Sequence, residues 1–256
     1  QLQQVLLYKR MKKLFVFSDV HSFYDELITA LNNAGFEYDN KDHILVSLGD
    51  LCDRGDQSKE VLNFMNSFPE DRKICIIGNH ELLMEDMIRR GSFCRADVSN
   101  GTLKTAVDIS ENDNDTIYDL KNNNLWNEYK RSWRYYYETE DFIFVHGWIP
   151  CIRYKDSYKL IEDWRNASRR QFEDASWENG MECWSKGIRE EGKTIFCGHW
   201  HSSWGHCHLH HKGVEFPDEN DPDQYAIFDP FVDEGIIALD ACTVYSHKVN
   251  VYVLEM

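Results

Sequence analysis

The sequence predicts a layered α/β fold. Short apolar runs alternate with helical patterns three times within about the first ninety residues. Five apolar runs end in Asp, His or Asn. Hydrophobic residues make up 42% of the 256, enough for a sizeable core.

The elements follow in order. Leu14 to Phe17 is a β-type run that stops at Ser18-Asp19. Phe23, Leu27, Ala30, Leu31 and Ala34 share one helical face, with Ser22 as the expected N-cap and Gly35 as the stop. Ile44 to Leu48 is a second strand, ending in Gly49-Asp50. A helix over Ser58 to Phe68 turns Val61, Leu62, Met65 and Phe68 inward, with Pro69 beyond it. Ile74 to Ile77 leads to Gly78-Asn79-His80, and a helix over Glu81 to Arg90 closes at Gly91.

Residues 92–141 break this rhythm and read as a helical insertion near the site. Ser110 to Asp115 is an acidic, Asn-rich loop, and Leu120 to Tyr137 reads as helix carrying Trp126 and Trp133. Whether that aromatic stretch caps the site or packs as a helical layer stays open. Strands return at Phe142 to Val145, before His146-Gly147, and at Thr194 to Cys197, before Gly198-His199. Tyr158 to Lys186 reads as helical between them. Gly235 to Leu239 and Lys248 to Leu254 suit a hairpin turning at Ser246-His247. Residues 1–10 read as an extension outside the fold, and 11–256 as one domain.

Charge and cysteines limit the function classes. The net charge of -16 repels nucleic-acid polymers and anionic membrane surfaces, so an anionic substrate needs local positive charge. The run Leu14 to Phe17 is too short for a membrane span or a signal-peptide core. Eight cysteines without a CxxC pair, several inside apolar runs, read as reduced thiols in a cytoplasmic protein.

The chemistry sits at the run ends: Asp19-Val20-His21, Asp50 to Arg54, Asn79-His80, His146, and His199-Trp200-His201. In open α/β sheets ligands bind beyond the carboxyl ends of strands. Imidazole and carboxylate donors gathered there suit Mn, Fe, Zn, Co or Ni. A single such tip is commonly just a helix cap; five in order are not.

These blocks resemble the calcineurin-like metallophosphoesterases, in the branch that holds bacterial serine/threonine phosphatases and dinucleoside tetraphosphatases. The resemblance rests on Asp19-Val20-His21, Gly49-Asp50-Leu51-Cys52-Asp53-Arg54-Gly55, Gly78-Asn79-His80-Glu81, His146-Gly147 and Gly198-His199-Trp200-His201. It implies a four-layer α/β/β/α sandwich, two divalent metals with manganese foremost, and attack on phosphorus by a hydroxide bridging them. It implies that Asp19 and His21 hold the first metal, that Asp50 bridges, and that Asn79, His146 and His199 hold the second. His201 corresponds to a further ligand of the wider family. Arg54 would grip phosphate oxygens and His80 would act as general acid, oriented by Asp53.

The physics agrees with these roles. A carboxylate between two cations offsets their repulsion, and Asn79 adds a neutral oxygen that keeps the site positive. Arg54 suits bidentate phosphate binding, and a His beside an Asp keeps its proton near neutrality.

Three departures matter. Ile77 stands where protein phosphatases of the branch carry Arg, Ser22 replaces a Gly, and Trp148 replaces the second Gly of HGG. A second phosphate-binding Arg is then sought at Arg165 or Arg153. The His-rich run from His199 to His211 lacks metal-finger spacing, and its part from His206 to His211 reads as a polar surface loop or an adventitious metal binder. Asp240 is either a partner of a ligand His or a turn former, and Trp148, Trp200 and Trp204 either stack on a substrate ring or pack.

The expected function is hydrolysis of a phosphomonoester or a nucleotide phosphoanhydride. Protein serine/threonine phosphatase is the alternative, and a non-catalytic metal-binding scaffold the alternative of another class.

Overall fold

The β1 strand (Lys13–Phe17) shows how the sequence makes two faces at once. Phe15 and Phe17 point to a helix-covered core, while Leu14 and Val16 point to a second core between two sheets. A computed structural model of the protein describes residues 12–111, 116–155, 157–218 and 220–256. The expected extension over residues 1–10 and most of the expected acidic loop over 110–115 lie outside the described residues.

The chain continues through α1 (Tyr24–Asn33), β2 (His43–Ser47), α2 (Ser58–Asn66), β3 (Lys73–Ile76) and α3 (Asn79–Arg90). Then come α4 (Arg95–Asn100), α5 (Thr102–Ile109), α6 (Thr116–Asn122), α7 (Asn124–Arg131), β4 (Trp133–Arg134), β5 (Tyr137–Glu138) and β6 (Phe142–Phe144). The last part holds β7 (Cys151–Tyr154), β8 (Ser157–Leu160), a 3-10 turn (Trp164–Asn166), α8 (Arg169–Ala175), α9 (Gly180–Ser185), β9 (Thr194–Cys197) and α10 (Ser202–His208). It ends with β10 (Phe231–Asp233), β11 (Ile236–Ala238), α11 (Thr243–Ser246) and β12 (Val251–Glu255).

Two five-stranded sheets form, ordered β12-β1-β2-β3-β4 and β10-β11-β9-β6-β5. Their facing sides bury Leu14, Val16, Ile44, Val46, Ile76, Phe144, Phe196 and Ile237, with Phe144 and Phe196 stacked at 5.1 Å. The outer faces are covered by helices over Phe17, Leu45 and Cys75 on one side and Ile143, Ile195 and Ala238 on the other. Three cores between four layers make the expected α/β/β/α sandwich. The central strands β1, β2 and β3 run parallel, as do β6, β9 and β11, so their carboxyl ends open in common directions.

Several expectations fail locally. The helix expected over Leu120 to Tyr137 breaks after Arg131, and its last residues enter the sheets as β4 and β5. Trp126, Tyr129 and Trp133 interlock at 5.4–6.0 Å in the core beneath α2 and α3, so the aromatic stretch packs as a layer and does not cap the site. Tyr158 to Lys186 is a β strand, a 3-10 turn and two short helices. The C-terminal runs do not pair with each other. Ile236–Ala238 joins β9 in one sheet, and Val251–Glu255 joins β1 antiparallel in the other. Ser22 does not cap α1; its hydroxyl meets that of Ser58 at 2.7 Å.

No helix among the described residues is long and apolar enough to cross a membrane.

Candidate active site

The strand-to-helix turns that carry the polar residues are held in an unusual backbone state. Asp19, His21, Asp50, Asp53, Arg54 and His199 all have positive φ, between 50° and 74°. Non-glycine residues pay for that conformation, and the cost persists only where surrounding bonds over-determine it. Here they do. The amides of Asp19, His21 and Ser22 donate to the carbonyls of Gly49, Asp50 and Leu51 at 2.8–3.1 Å, lacing the first two tips together. Gly49, at φ +102°, lets the tips close up: a Cβ there would lie 2.6 Å from Gly78 N and 2.9 Å from His146 Nδ1.

Glu81 provides the third lacing. Its buried carboxylate accepts from the amides of Asp50 (2.9 Å), Leu51 (2.9 Å) and Gly78 (2.8 Å), joining the β2 and β3 tips. Burial and the neighbouring Asp50 push the Glu81 carboxyl up to about 7, while the amides of Leu51 and Asp50 hold it down against them. In the sequence Glu81 stands only as a helix start within the Gly78-Asn79-His80-Glu81 block.

Among the described residues two groups of potential ligand atoms result, each within 4.8 Å of one another: His21, Asp50 and His80, and Asp50, His146 and His199. Asp50 belongs to both. Three of these four histidines are turned by a backbone carbonyl, and His80 by the Asp53 carboxylate. His21 Nδ1 donates to Cys52 O (3.0 Å), His146 Nδ1 to Leu48 O (2.7 Å) and His199 Nε2 to Trp177 O (3.1 Å). Each of the three then keeps its other nitrogen, with its lone pair, for the cluster. His146 Nε2 faces Asn79 Oδ1 at 2.8 Å and Asp50 Oδ1 at 3.3 Å. Asp19 falls in neither group. Its Oδ2 accepts from Ser18 Oγ and from the His199 amide (2.9 Å), while its Oδ1 is buried with no hydrogen-bond partner.

This donor set fits divalent cations. Lone pairs of three histidines, Asn79 and two carboxylates converge with too few protons among them, and an orphaned carboxylate oxygen is costly without a cation. The titration tendencies agree. Burial opposes charge throughout, yet Asp50 raises His146, and His146 with His80 holds Asp50 ionised. A positive charge is favoured where these residues meet. Burial and His146 push His199 down to about 3, so it stays neutral, as a ligand must.

Beside the cluster stands a proton-transfer pair. His80 Nδ1 donates to Asp53 Oδ2 at 2.7 Å. Thr102 Oγ1 donates to Asp53 Oδ2 (2.7 Å) and Thr105 Oγ1 to Asp53 Oδ1 (2.9 Å), which fixes the carboxylate. Both threonines lie on α5, three residues apart on one face; nothing in the sequence pointed to them. Burial lowers His80, but Asp50 and Asp53 outweigh it and raise it above its ordinary range. Arg54 Nη2 lies 3.4 Å from His80 Nε2, in a cavity of about 240 Å³. Among the lining residues described, Arg54 is the one Lys or Arg. Asn100, Trp177, Trp200 and Asp240 complete much of the wall.

Other candidates lie elsewhere. Arg165 is not at the cavity: its guanidinium pairs with Glu138 (2.6 and 2.8 Å) and Glu190 (2.8 Å) and stacks on Trp164, because those carboxylates converge on the rim of the second sheet. Arg153 is exposed on β7, over the Tyr158 ring. His201 lines the cavity but joins neither ligand group, since Nδ1 meets Ser203 Oγ (2.9 Å) and Nε2 meets Glu215 (3.2 Å). His206 and His208 lie on α10 and not in the expected surface loop; they bond Asp229 O and Glu215, and His210 beyond the helix bonds Asp233. Asp240 caps its own turn, accepting from Cys242 N at 2.7 Å; burial and Asp19 push its carboxyl well up. Trp148 is buried and donates to Ile188 O, and Trp204 packs on His208.

The model of the calcineurin-like phosphoesterases matches residues 12–228. The chain belongs to that family. A symmetrical bis(5'-nucleosyl)-tetraphosphatase of Psychromonas ingrahamii is 41% identical over 68 residues, 27% of this chain and 24% of the relative. Serine/threonine-protein phosphatase 2 of Salmonella typhimurium is 33% identical over 75 residues, 29% of this chain and 32% of its own. The alignments thus span about a quarter to a third of these relatives' length. Among solved structures, the cold-active protein-tyrosine phosphatase of a psychrophilic Shewanella covers 96% of this chain and 76% of its own, with TM-score 0.53 at 17% identity. A candidate diadenosine tetraphosphatase covers 96% and 90%, with TM-score 0.52 at 14% identity. At such identities the likeness concerns the fold.

Proposed function

We propose that this phosphoesterase hydrolyses phosphomonoesters or nucleotide phosphoanhydrides with two divalent metals, manganese foremost, held by Asp19, His21, Asp50, Asn79, His146 and His199. The observation that carries the reading is Asp50 standing in both ligand groups, with the His80–Asp53 pair and Arg54 on the same cavity. When bound, the metals supply Lewis acidity and an activated water at neutral pH.

The chain's own groups do the rest. Arg54 grips the phosphoryl oxygens and, with Asn79, orients the group for in-line attack. His80 gives the proton at Nε2 to the departing oxygen. Asp53 holds the opposite nitrogen protonated and stabilises the imidazolium before transfer. The small cavity, its single arginine and Ile77 in place of a second one favour a small or nucleotide-like substrate. The free cysteines, several of them buried, favour a reducing cytoplasmic setting.

The test is p-nitrophenyl phosphate hydrolysis after chelation and with added manganese. Activity that needs the metal and falls to background in Asp50→Asn is expected. Chelator-insensitive turnover, or Asp50→Asn equal to wild type, would return the protein to a non-catalytic scaffold.

A further inference from the structure

The cavity wall carries one large apolar side chain that is exposed among the residues described, Trp177, at 50% of its free surface. It follows α8 directly, its amide tied to Asp174 O at 3.1 Å and its carbonyl to His199 Nε2. The backbone is therefore anchored at the ligand cluster while the indole stays half in water. Its ring meets His199 nearly perpendicular, centroids 5.9 Å apart and planes at 79°, so the two are not stacked in parallel. By contrast, Trp126, Trp148 and Trp164 are fully buried.

Trp177 also forms the wall of a second, open groove of about 540 Å³ between α3 and α8. Leu82 and Leu83 lie along it, and its polar rim is net acidic: Arg89 pairs with Asp86 and Arg169 with Glu173, beside Glu85 and Asp174, so it suits an uncharged part of a substrate. One indole thus divides the metal-ligand cavity from a roomier channel. Arg54 and Trp177 line the same cavity, so the substituent of a phosphoryl group gripped by Arg54 shares that cavity with the indole.

We propose that Trp177 is a specificity-determining stacking platform: a planar ring carried by the phosphorylated substrate lies on its indole, and bulkier parts continue into the α3–α8 groove. This rests on the phosphoesterase reading above. The shared chemistry is an aromatic substituent, found in nucleoside phosphates and in aryl phosphates alike. Stacking on an aromatic side chain tolerates any flat ring and adds roughly tenfold or more in affinity. Aliphatic phosphomonoesters gain nothing from it.

The test uses the manganese-loaded protein as wild type, Trp177→Ala and Trp177→Phe, each checked for unchanged melting and metal content. Dissociation constants and kcat/KM are measured for adenosine 5'-monophosphate, phenyl phosphate and glycerol 2-phosphate. The affinity ratio of aromatic to aliphatic ligand is expected to drop about tenfold in Trp177→Ala, through KM and not kcat, and to return in Trp177→Phe. A drop for the nucleotide alone assigns the platform to a nucleobase; a drop for both assigns it to any ring. An unchanged ratio, or equal losses for all three ligands, overturns the proposal, since a merely structural role through His199 moves all of them together. A wild type that turns over none of the three but keeps the ring-dependent affinities would defeat the hydrolase reading and leave this one standing.

Discussion

His80 is the residue whose role is most sharply testable. A general acid matters in proportion to how poorly the leaving oxygen carries negative charge. His80→Gln is therefore expected to lower kcat about 10²–10⁴-fold for an alkyl phosphate. For p-nitrophenyl phosphate, whose phenolate leaves without a proton, the loss should be far smaller. Parallel steady-state assays on the two esters check this, and equal losses would remove His80 from proton transfer. The residues that could be named from sequence were those with reactive side chains in a recognisable order. Those that could not, Glu81 as a clamp, Thr102 and Thr105 as supports and Trp177 at the mouth, act through partners 22 to 52 positions away along the chain, the Gly78 amide beside Glu81 excepted. No local pattern encodes such a partner.

At the scale of elements, Arg165 shows how position misleads. The sequence offered it as a phosphate binder, but it ties the 3-10 turn to β5, sharing Glu138 with Lys193. The Arg165 hydrogen bond holds the Glu138 carboxyl down to about 2, below its ordinary 4.5, with Lys193 helping and burial opposing. A depressed carboxyl contributes stability above its unfolded pKa and loses it as pH falls through the folded one. Glu138→Gln should thus cost about 1 kcal/mol at pH 7 in urea unfolding, a modest figure for a partly exposed network. The gap from wild type should persist at pH 5 and narrow as pH falls from about 4.5 toward 2. A gap independent of pH over that range would show that the carboxylate's charge is not what ties these elements.

For the whole molecule, the proposed ligand set spans both sheets. Asp19, His21, Asp50 and Asn79 follow strands of one sheet, and His146 and His199 follow strands of the other. Metal bound by that set would tie the two halves of the sandwich at one edge, and any ligand that binds the folded state alone stabilises it. At a free metal concentration 100 times the dissociation constant the gain is about 2.7 kcal/mol, equivalent to roughly 5–10 °C in a chain of this size. Chelation should lower Tm by that order and added manganese restore it, read by calorimetry. A Tm indifferent to both would mean that the six residues do not hold metal together.

The alternation of β1, β2 and β3 with their helices, and the Asp, His and Asn residues at five strand ends, were legible in the sequence because they depend on neighbours a few residues apart. Periodicity and turn chemistry are local. The pairing of β12 with β1, the absorption of Trp133 and Tyr137 into strands, and the turning of Arg165 away from the cavity were decided only by the tertiary structure. In each case the winning contact is with a distant segment, and its burial or charge pairing outweighs what local propensity favours.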